Sequence, residues 1–86
     1  KITVRAGHSM NYHTHNFRNE IWNIVSGEAV VVIDDERKNV KAGDVITLKA
    51  GQKHTIIAKT DVKLLEVQLG KDISAKDKIK CQIKKQ

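Results

Sequence analysis

The chain is predicted to form an all-β fold, a jelly-roll β-barrel followed by a short C-terminal helix. The first observation behind this is that segments rich in β-branched residues recur about every eight to ten residues. The second is that Gly, Asp or Asn separates most of these segments, as in tight turns. Many short strands at even spacing favour a barrel or sandwich over alternating β and α units.

Eight strands are predicted, bounded by residues that are typical of turns. The segment Asp34-Asp35-Glu36-Arg37 is typical of a hairpin turn, and Gly27, Gly43 and Gly51 mark further turns. The predicted strands are Ile2–Ala6, Met10–His15, Glu20–Ser26, Glu28–Asp34, Lys38–Val40, Asp44–Leu48, His54–Ala58 and Val62–Leu69.

The end of the chain has a different pattern. Ser74-Ala75-Lys76-Asp77 fits a helix capping box, and Ile79 and Ile83 lie four residues apart, on one helix face. We therefore predict one domain over residues 1–86, in which residues 70–86 form a basic helical tail. A chain of 86 residues is long enough for one compact domain but not for two.

The net charge of +6 is concentrated in this tail. Six lysines and two aspartates between residues 71 and 86 contribute +4, which leaves +2 for the rest of the chain. The few aromatic residues (Tyr12, Phe17 and Trp22) offer no stacking platform for bases. We interpret the tail as a solvated basic segment and expect neither a nucleic-acid nor a membrane partner.

The number of cysteines and the length of the apolar runs indicate the cellular compartment of the protein. Cys81 has no second cysteine to pair with, which excludes an internal disulfide and fits a reducing cytoplasm. The longest apolar runs, such as Ala29 to Ile33, are too short to span a bilayer. Because the chain begins at Lys1 and a strand follows at once, we interpret it as a mature or excised fragment.

Three histidines and one glutamate are the candidate metal ligands of the chain. His13 and His15 are one residue apart on a predicted strand, so both rings point to one face, about 7 Å apart. A hairpin after His15 would bring Glu20 back beside them, and His54 begins a later strand. Such a set suits one divalent transition metal (Zn, Mn, Co, Ni or Fe) and leaves positions open for substrate.

These residues stand at the spacing of two known motifs. Gly7, five residues, His13-Thr14-His15, four residues, Glu20, six residues and Gly27 match the first motif of the cupin superfamily. Gly43, five residues, Lys49-Ala50-Gly51, two residues and His54 resemble the second. Lys49 replaces the usual proline and Ala58 the usual asparagine, and the proline loss is expected to make the turn before Gly51 less rigid.

A narrower resemblance covers most of the chain. The run from Glu20 to Gly27, the pair Lys53-His54 and the run from Glu66 to Gly70 resemble the cupin domain of type II mannose-6-phosphate isomerases. Such domains are often fused to GDP-mannose pyrophosphorylases (mannose-1-phosphate guanylyltransferases). The insertion Asn16-Phe17 departs from that family. The resemblance implies a metal-dependent isomerase that interconverts mannose 6-phosphate and fructose 6-phosphate through an enediolate.

The same resemblance implies roles around the metal. Glu66 would be the catalytic base, provided that its face of the last strand lines the barrel; the apolar pattern alone favours the opposite face, with Leu65, Val67 and Leu69 inside. The phosphate would be bound by Arg18, in the loop before Glu20, and by Lys53, and Gln68 and Trp22 would contact the sugar. Trp22 also suits a position in the core.

Two other functions remain open at this point. A non-catalytic cupin could bind a sugar through the metal without turnover, and an iron-dependent oxygenase could use the same ligand set. An isomerase needs both a phosphate-binding cation and a proton-transfer group, whereas a binding module needs only the first. A homodimer is expected, because a short barrel leaves sheet edges to cover.

Overall fold

The computed structural model describes residues 1–15, 18–70 and 78–80, with only the backbone of His15 and of residues 78–80. These residues form nine strands. The strands are β1 (Ile2–Val4), β2 (His13–His15), β3 (Arg18–Ser26), β4 (Glu28–Ile33), β5 (Glu36–Lys41), β6 (Val45–Leu48), β7 (His54–Ala58), β8 (Val62–Gly70) and β9 (Lys78–Lys80).

The strands form two antiparallel sheets with a jelly-roll order. One sheet has the order β1-β8-β3-β6 and the other the order β5-β4-β7-β2-β9. Strands that are distant in sequence are therefore neighbours, since β8 lies between β1 and β3, and β7 lies between β4 and β2. The predicted all-β jelly-roll class is confirmed.

Alternation along the strands builds the core between the sheets. In β3, Trp22 and Ile24 point inward and are buried, whereas Asn23 and Val25 point outward. The apolar face of each sheet is thereby turned toward the other sheet. The buried core consists of Val4, Trp22, Ile24, Ala29, Val31, Val40, Ile46, Leu48, Ile56, Ala58, Val62 and Leu64.

The hairpin between β4 and β5 is tighter than predicted. Its loop is only Asp34 and Asp35, both in the left-handed region with φ of 49° and 68°. Two positive φ values match the twist of a two-residue hairpin, and Asp tolerates this conformation better than most residues. Strand β5 can consequently start at Glu36, two residues before the predicted start.

The helix predicted for the end of the chain is wrong at residues 78–80. These residues form β9, which pairs with β2 so that His13 lies opposite Lys80 and His15 opposite Lys78. The exposed edge of β2 offers unpaired backbone groups, and pairing with them outweighs a weak local helix preference. Residues 71–77 and 81–86, and with them the capping box, lie outside the described residues. Across the described ranges, no helix has the length and apolar character needed to cross a membrane.

Substitution of Gly27, between β3 and β4, is predicted to destabilise the fold through two effects, backbone strain and steric overlap. Its φ is +93°, and an added Cβ would overlap the backbone carbonyl oxygen of Asp61. Gly43 has nearly the same φ, +94°, but open space where its Cβ would be. We expect Gly43→Ala to lower the free energy of unfolding by about 1–2 kcal/mol through backbone strain alone.

Gly27→Ala should lower the free energy of unfolding by about 3 kcal/mol or more, since the steric overlap adds to the strain. Urea denaturation of the two variants measures the difference. Equal losses in both would show that the backbone around Asp61 yields at little energetic cost.

Candidate metal centre

Three of the predicted metal ligands converge between the two sheets. His13 on β2 and His54 on β7 lie directly opposite each other in the same sheet. Glu20 comes from β3 in the facing sheet. One nitrogen or oxygen from each residue lies within 4.8 Å of the others, a separation that suits ligands of a single ion.

The cluster is almost completely buried. The relative exposures of His13, Glu20 and His54 are 6%, 2% and 2%. Their contacts are close: the two imidazole rings have centroids 4.3 Å apart, and Nε2 of His54 is 3.4 Å from Oε1 of Glu20. Buried groups of this kind must be paired or coordinate a metal, and these three lie close enough together for either.

The two histidine rings are oriented for metal binding by their own backbone. Nδ1 of His54 lies 3.1 Å from the carbonyl oxygen of Gln52, and Nδ1 of His13 contacts the carbonyl oxygen of Asn11. A carbonyl oxygen can only accept, so each Nδ1 donates to it, and in a neutral ring Nε2 would then have the lone pair that a metal needs. Metal-binding histidines are typically held in this way, and the donor set therefore fits a divalent transition metal.

His15, the fourth predicted ligand, is described only by its backbone. It lies on β2, two residues after His13, in register with Lys78 of β9. Its side chain lies outside the described side chains, so its role as a ligand stays a prediction.

Arg18 lies in a different element from the predicted one. It is the first residue of β3 and not part of a loop, and its Nε is 3.1 Å from Oε2 of Glu20. The arginine side chain is only 11% exposed. The guanidinium group pairs with the carboxylate and orients it, which makes Arg18 a direct neighbour of the metal site.

Glu66 and Gln68 lie beside the metal site on the inner face of the first sheet. In the β3–β8 ladder Glu20 is opposite Gln68 and Trp22 is opposite Glu66. Glu66 is the diagonal neighbour of Glu20, a relation with a typical separation of about 7–8 Å. Both β8 side chains are partly exposed, so solvent reaches them beside the buried cluster.

The exposed residues of β8 settle which of its faces points inward. Leu65, Val67 and Leu69 are 47%, 51% and 51% exposed, so they lie on the outside of the barrel. The face that carries Glu66 is therefore the inner one, contrary to the orientation that the apolar pattern alone favours.

Trp22 lies in the core and not in the wall of a pocket. Its side chain has no exposed surface, which contradicts the prediction that it contacts substrate. Its ring instead meets the edge of His54 at a centroid distance of 5.6 Å. Its indole N–H donates to Oε2 of Glu66 at 3.2 Å, while the Gln68 amide donates to the other oxygen, so Glu66 is oriented from two sides.

The turn of Asp34 and Asp35 connects the residues that precede both metal histidines, which the sequence analysis missed. The backbone N–H of Asp35 donates to the Tyr12 hydroxyl at 2.7 Å, and that hydroxyl donates to Oδ1 of Asp35 at 3.1 Å. Nζ of Lys53 lies 3.3 Å from Oδ2 of Asp35, and its backbone N–H donates to Asp34. Burial raises the pKa of the Tyr12 phenol, which keeps its donor proton in place.

Lys49 replaces the usual proline of the second motif, and its backbone makes a hydrogen bond that proline could not make. The backbone N–H of Lys49 donates to Oε1 of Gln52 at 2.8 Å, and the N–H of Gln52 donates back to the carbonyl of Lys49 at 3.0 Å. Gln52 is also the residue whose carbonyl orients His54. Two hydrogen bonds thus hold this turn, whereas the motif usually relies on the rigid ring of a proline.

Loss of one ligand should weaken metal binding strongly. We expect Glu20→Gln, which keeps the side-chain volume, and His54→Ala each to weaken Co²⁺ binding by about 100-fold or more. Titration followed by the visible absorption of Co²⁺ gives the affinities. His8→Ala is the matched control, since His8 is exposed and outside the cluster, and it should leave the affinity unchanged. Equal affinity in all three variants would exclude this site.

Tyr12→Phe tests the turn that precedes the histidines. It removes a largely buried hydroxyl that both accepts from and donates to Asp35, so we expect the free energy of unfolding to fall by about 1–3 kcal/mol. The affinity for Co²⁺ should fall about 10-fold as His13 loses its support. In Lys59→Ala an exposed hydrogen bond to Asn39 is lost, and this control should change stability by less than about 0.5 kcal/mol. A Tyr12→Phe variant as stable as this control would contradict the assigned role.

A family model described as a cupin domain matches residues 1–68. The mannose-1-phosphate guanylyltransferase of Escherichia coli K12 is 29% identical to the chain over 82 residues, which is 93% of this chain and 17% of that enzyme. The chain therefore corresponds to a small part of its full-length relative.

Solved structures show the same fold in proteins with different names. A predicted oxalate decarboxylase from Thermotoga maritima has a TM-score of 0.76 and 31% identity, over 79% of this chain and 61% of that one. Salicylate 1,2-dioxygenase from Pseudoaminobacter salicylatoxidans has a TM-score of 0.71 over 74% of this chain and 18% of its own length, a likeness in fold alone at 19% identity. Because the family match spans both sheets and all the residues of the His–Glu–His cluster, the chain belongs to the cupin family.

Proposed function

We propose that the chain is a metal-dependent sugar-phosphate isomerase that interconverts mannose 6-phosphate and fructose 6-phosphate. The observation that carries the proposal is the position of Glu66, an oriented carboxylate on the inner face of the barrel, diagonal to the metal ligand Glu20. An isomerase needs a proton-transfer group next to its metal, and Glu66 meets that need.

The metal would be held by His13, Glu20 and His54, with His15 as the predicted fourth ligand. When bound, a divalent ion would supply Lewis acidity to the carbonyl and the neighbouring hydroxyl oxygen of the sugar.

Glu66 would move the proton. Its carboxylate takes the proton from C2 of the open-chain aldose and returns it to C1, while the hydroxyl proton passes from O2 to O1, so the atoms balance without a co-reactant. The hydrogen bonds from Trp22 and Gln68 fix the direction of the carboxylate. Gln68, which is opposite Glu20 and partly exposed, would contact the sugar hydroxyls.

Arg18 is the better of the two candidates for the phosphate. It lies next to the metal site through its contact with Glu20, and the planar guanidinium group matches the geometry of phosphate oxygens. The ammonium of Lys53, in contrast, is directed to Asp35 in the hairpin turn. We therefore assign the phosphate to Arg18 and a structural contact to Lys53.

The comparisons support a mannose phosphate as the ligand. The Escherichia coli relative is named for its action on mannose 1-phosphate, and the match extends over 93% of this chain. The polar groups beside the cluster (Arg18, Glu66 and Gln68) suit a sugar better than the apolar substrate of an oxygenase. A cytoplasmic location is part of the proposal, since the lone Cys81 fits a reducing compartment.

Proton NMR of the metal-loaded protein with mannose 6-phosphate in deuterated water tests the reaction. Fructose 6-phosphate should form, with deuterium at C1 in those turnovers in which the proton on Glu66 exchanges with solvent before it is returned. If mannose 6-phosphate binds but no product forms with Zn²⁺, Mn²⁺, Co²⁺ or Ni²⁺, the non-catalytic sugar-binding module is the correct function.

Glu66→Gln should separate catalysis from metal binding. We expect kcat to fall about 10²- to 10⁴-fold, because the amide cannot take a proton, while the affinity for Co²⁺ changes less than about 3-fold. Glu36→Gln, on the edge strand β5 of the other sheet, removes the same charge at an exposed position and should leave kcat unchanged. A Glu66→Gln variant with full activity would remove Glu66 from the mechanism.

A further inference from the structure

The connection between β6 and β7 passes from one sheet to the other beside the metal centre. It consists of residues 49–53, which we refer to as the crossover segment. Leu48, the residue before it, pairs with Glu20 in the β3–β6 ladder, and His54 follows it directly. A short segment thus joins the strand paired with that of Glu20 to the strand of His54. Its conformation affects where one ligand lies relative to the other.

Asn19 anchors the start of the crossover segment to the strand that carries Glu20. Its side-chain Oδ1 accepts the backbone N–H of Ala50 at 2.7 Å. Asn19 directly precedes Glu20 on β3, and its side chain is exposed, whereas that of Glu20 is buried. The bond extends the contact between the two segments beyond the Glu20–Leu48 pair. The chain that leaves β6 is thereby held against the strand that presents the carboxylate.

Gln52 fixes the other end of the crossover segment. Its side-chain Oε1 accepts the N–H of Lys49 at 2.8 Å, and its own N–H donates to the carbonyl of Lys49 at 3.0 Å. These two bonds close the turn that contains Gly51, whose φ is +86°. The carbonyl of Gln52 then accepts from Nδ1 of His54 at 3.1 Å. One residue therefore closes the turn and orients the imidazole.

The crossover segment has no proline to fix its backbone. A proline at position 49 would restrict φ without any hydrogen bond, whereas this turn depends on side chains at both of its ends. Asn19 is exposed and Gln52 is partly exposed. Hydrogen bonds at such positions contribute little to overall stability, because water replaces them when they are lost. Their effect is therefore expected on the geometry of the site more than on the stability of the fold.

We infer that Asn19 and Gln52 are positioning residues of the metal centre, which act by fixing the crossover segment. In the structure Nε2 of His54 lies 3.4 Å from Oε1 of Glu20, a separation that two ligands of one ion can have. Residues that orient metal ligands typically change metal affinity about 10- to 100-fold when they are lost. This inference concerns metal binding and does not depend on the proposed isomerase activity.

Co²⁺ titration followed by visible absorption tests the two residues. Asn19→Ala and Gln52→Ala should each weaken Co²⁺ binding about 10- to 100-fold. Asn19→Asp and Gln52→Glu keep an oxygen that accepts the same backbone N–H, so each should restore the affinity to within about 3-fold. Asn23→Ala is the matched control, since Asn23 is exposed on the same strand, and it should leave the affinity unchanged. The urea midpoint of every variant should stay within about 1 M of that of the unchanged protein.

A double-mutant cycle separates positioning from a general disturbance of the fold. Lys49→Pro supplies the ring that the motif usually has and removes the N–H that the Gln52 side chain accepts. In that background Gln52→Ala should weaken Co²⁺ binding less than about 3-fold, because the bond that it would break is already absent.

Three results would overturn the inference. The first is Co²⁺ binding by both alanine variants that is as tight as that of the unchanged protein. The second is an equal loss of affinity in the alanine variants and in Asn19→Asp and Gln52→Glu, since the retained acceptor would then be irrelevant. The third is an effect of Gln52→Ala that is the same with lysine or proline at position 49.

Discussion

The site depends on the pairing of β2 with β7, which sets His13 opposite His54. Side chains directly opposite each other in a ladder have a fixed separation, so the ladder determines how far apart the two rings lie. Each ring is then turned by a carbonyl two residues earlier in its own segment. Orientation by nearby backbone costs little entropy, and the two nitrogens are aligned before any metal binds.

The two sheets contribute different chemistry to one centre. The sheet with β2 and β7 supplies the histidines, and the facing sheet supplies Glu20, with Glu66 and Gln68 on the adjacent strand. A ligand between the sheets would meet the metal site on one side and proton-transfer and hydrogen-bonding groups on the other. The acidic turn at Asp35 connects the segments that lead into both histidines, so a loop of the histidine-bearing sheet supports the same centre.

Local patterns predicted the ligands because strand alternation is a local property. His13, Glu20 and His54 could be placed together from motif spacing, and the structure brings them within 4.8 Å. The contact of Tyr12 with Asp35 joins residues 23 apart in sequence, and no local pattern encodes it. The strand at residues 78–80 was missed for the same reason, since the edge of β2 that it pairs with is distant in sequence. Hydrophobic alternation predicted the wrong inner face for β8 because it assumes that apolar residues face the core of a single chain.

The register of β8 also determines which residues lie on each of its two faces. Because side chains alternate, Glu66 and Gln68 can face the metal only if Leu65, Val67 and Leu69 face outward; a shift by one residue would reverse both sets. Exposing three half-buried apolar side chains costs about 1 kcal/mol each relative to burying them. In this arrangement the outer surface of the strand and the chemistry on its inner surface are two consequences of one register.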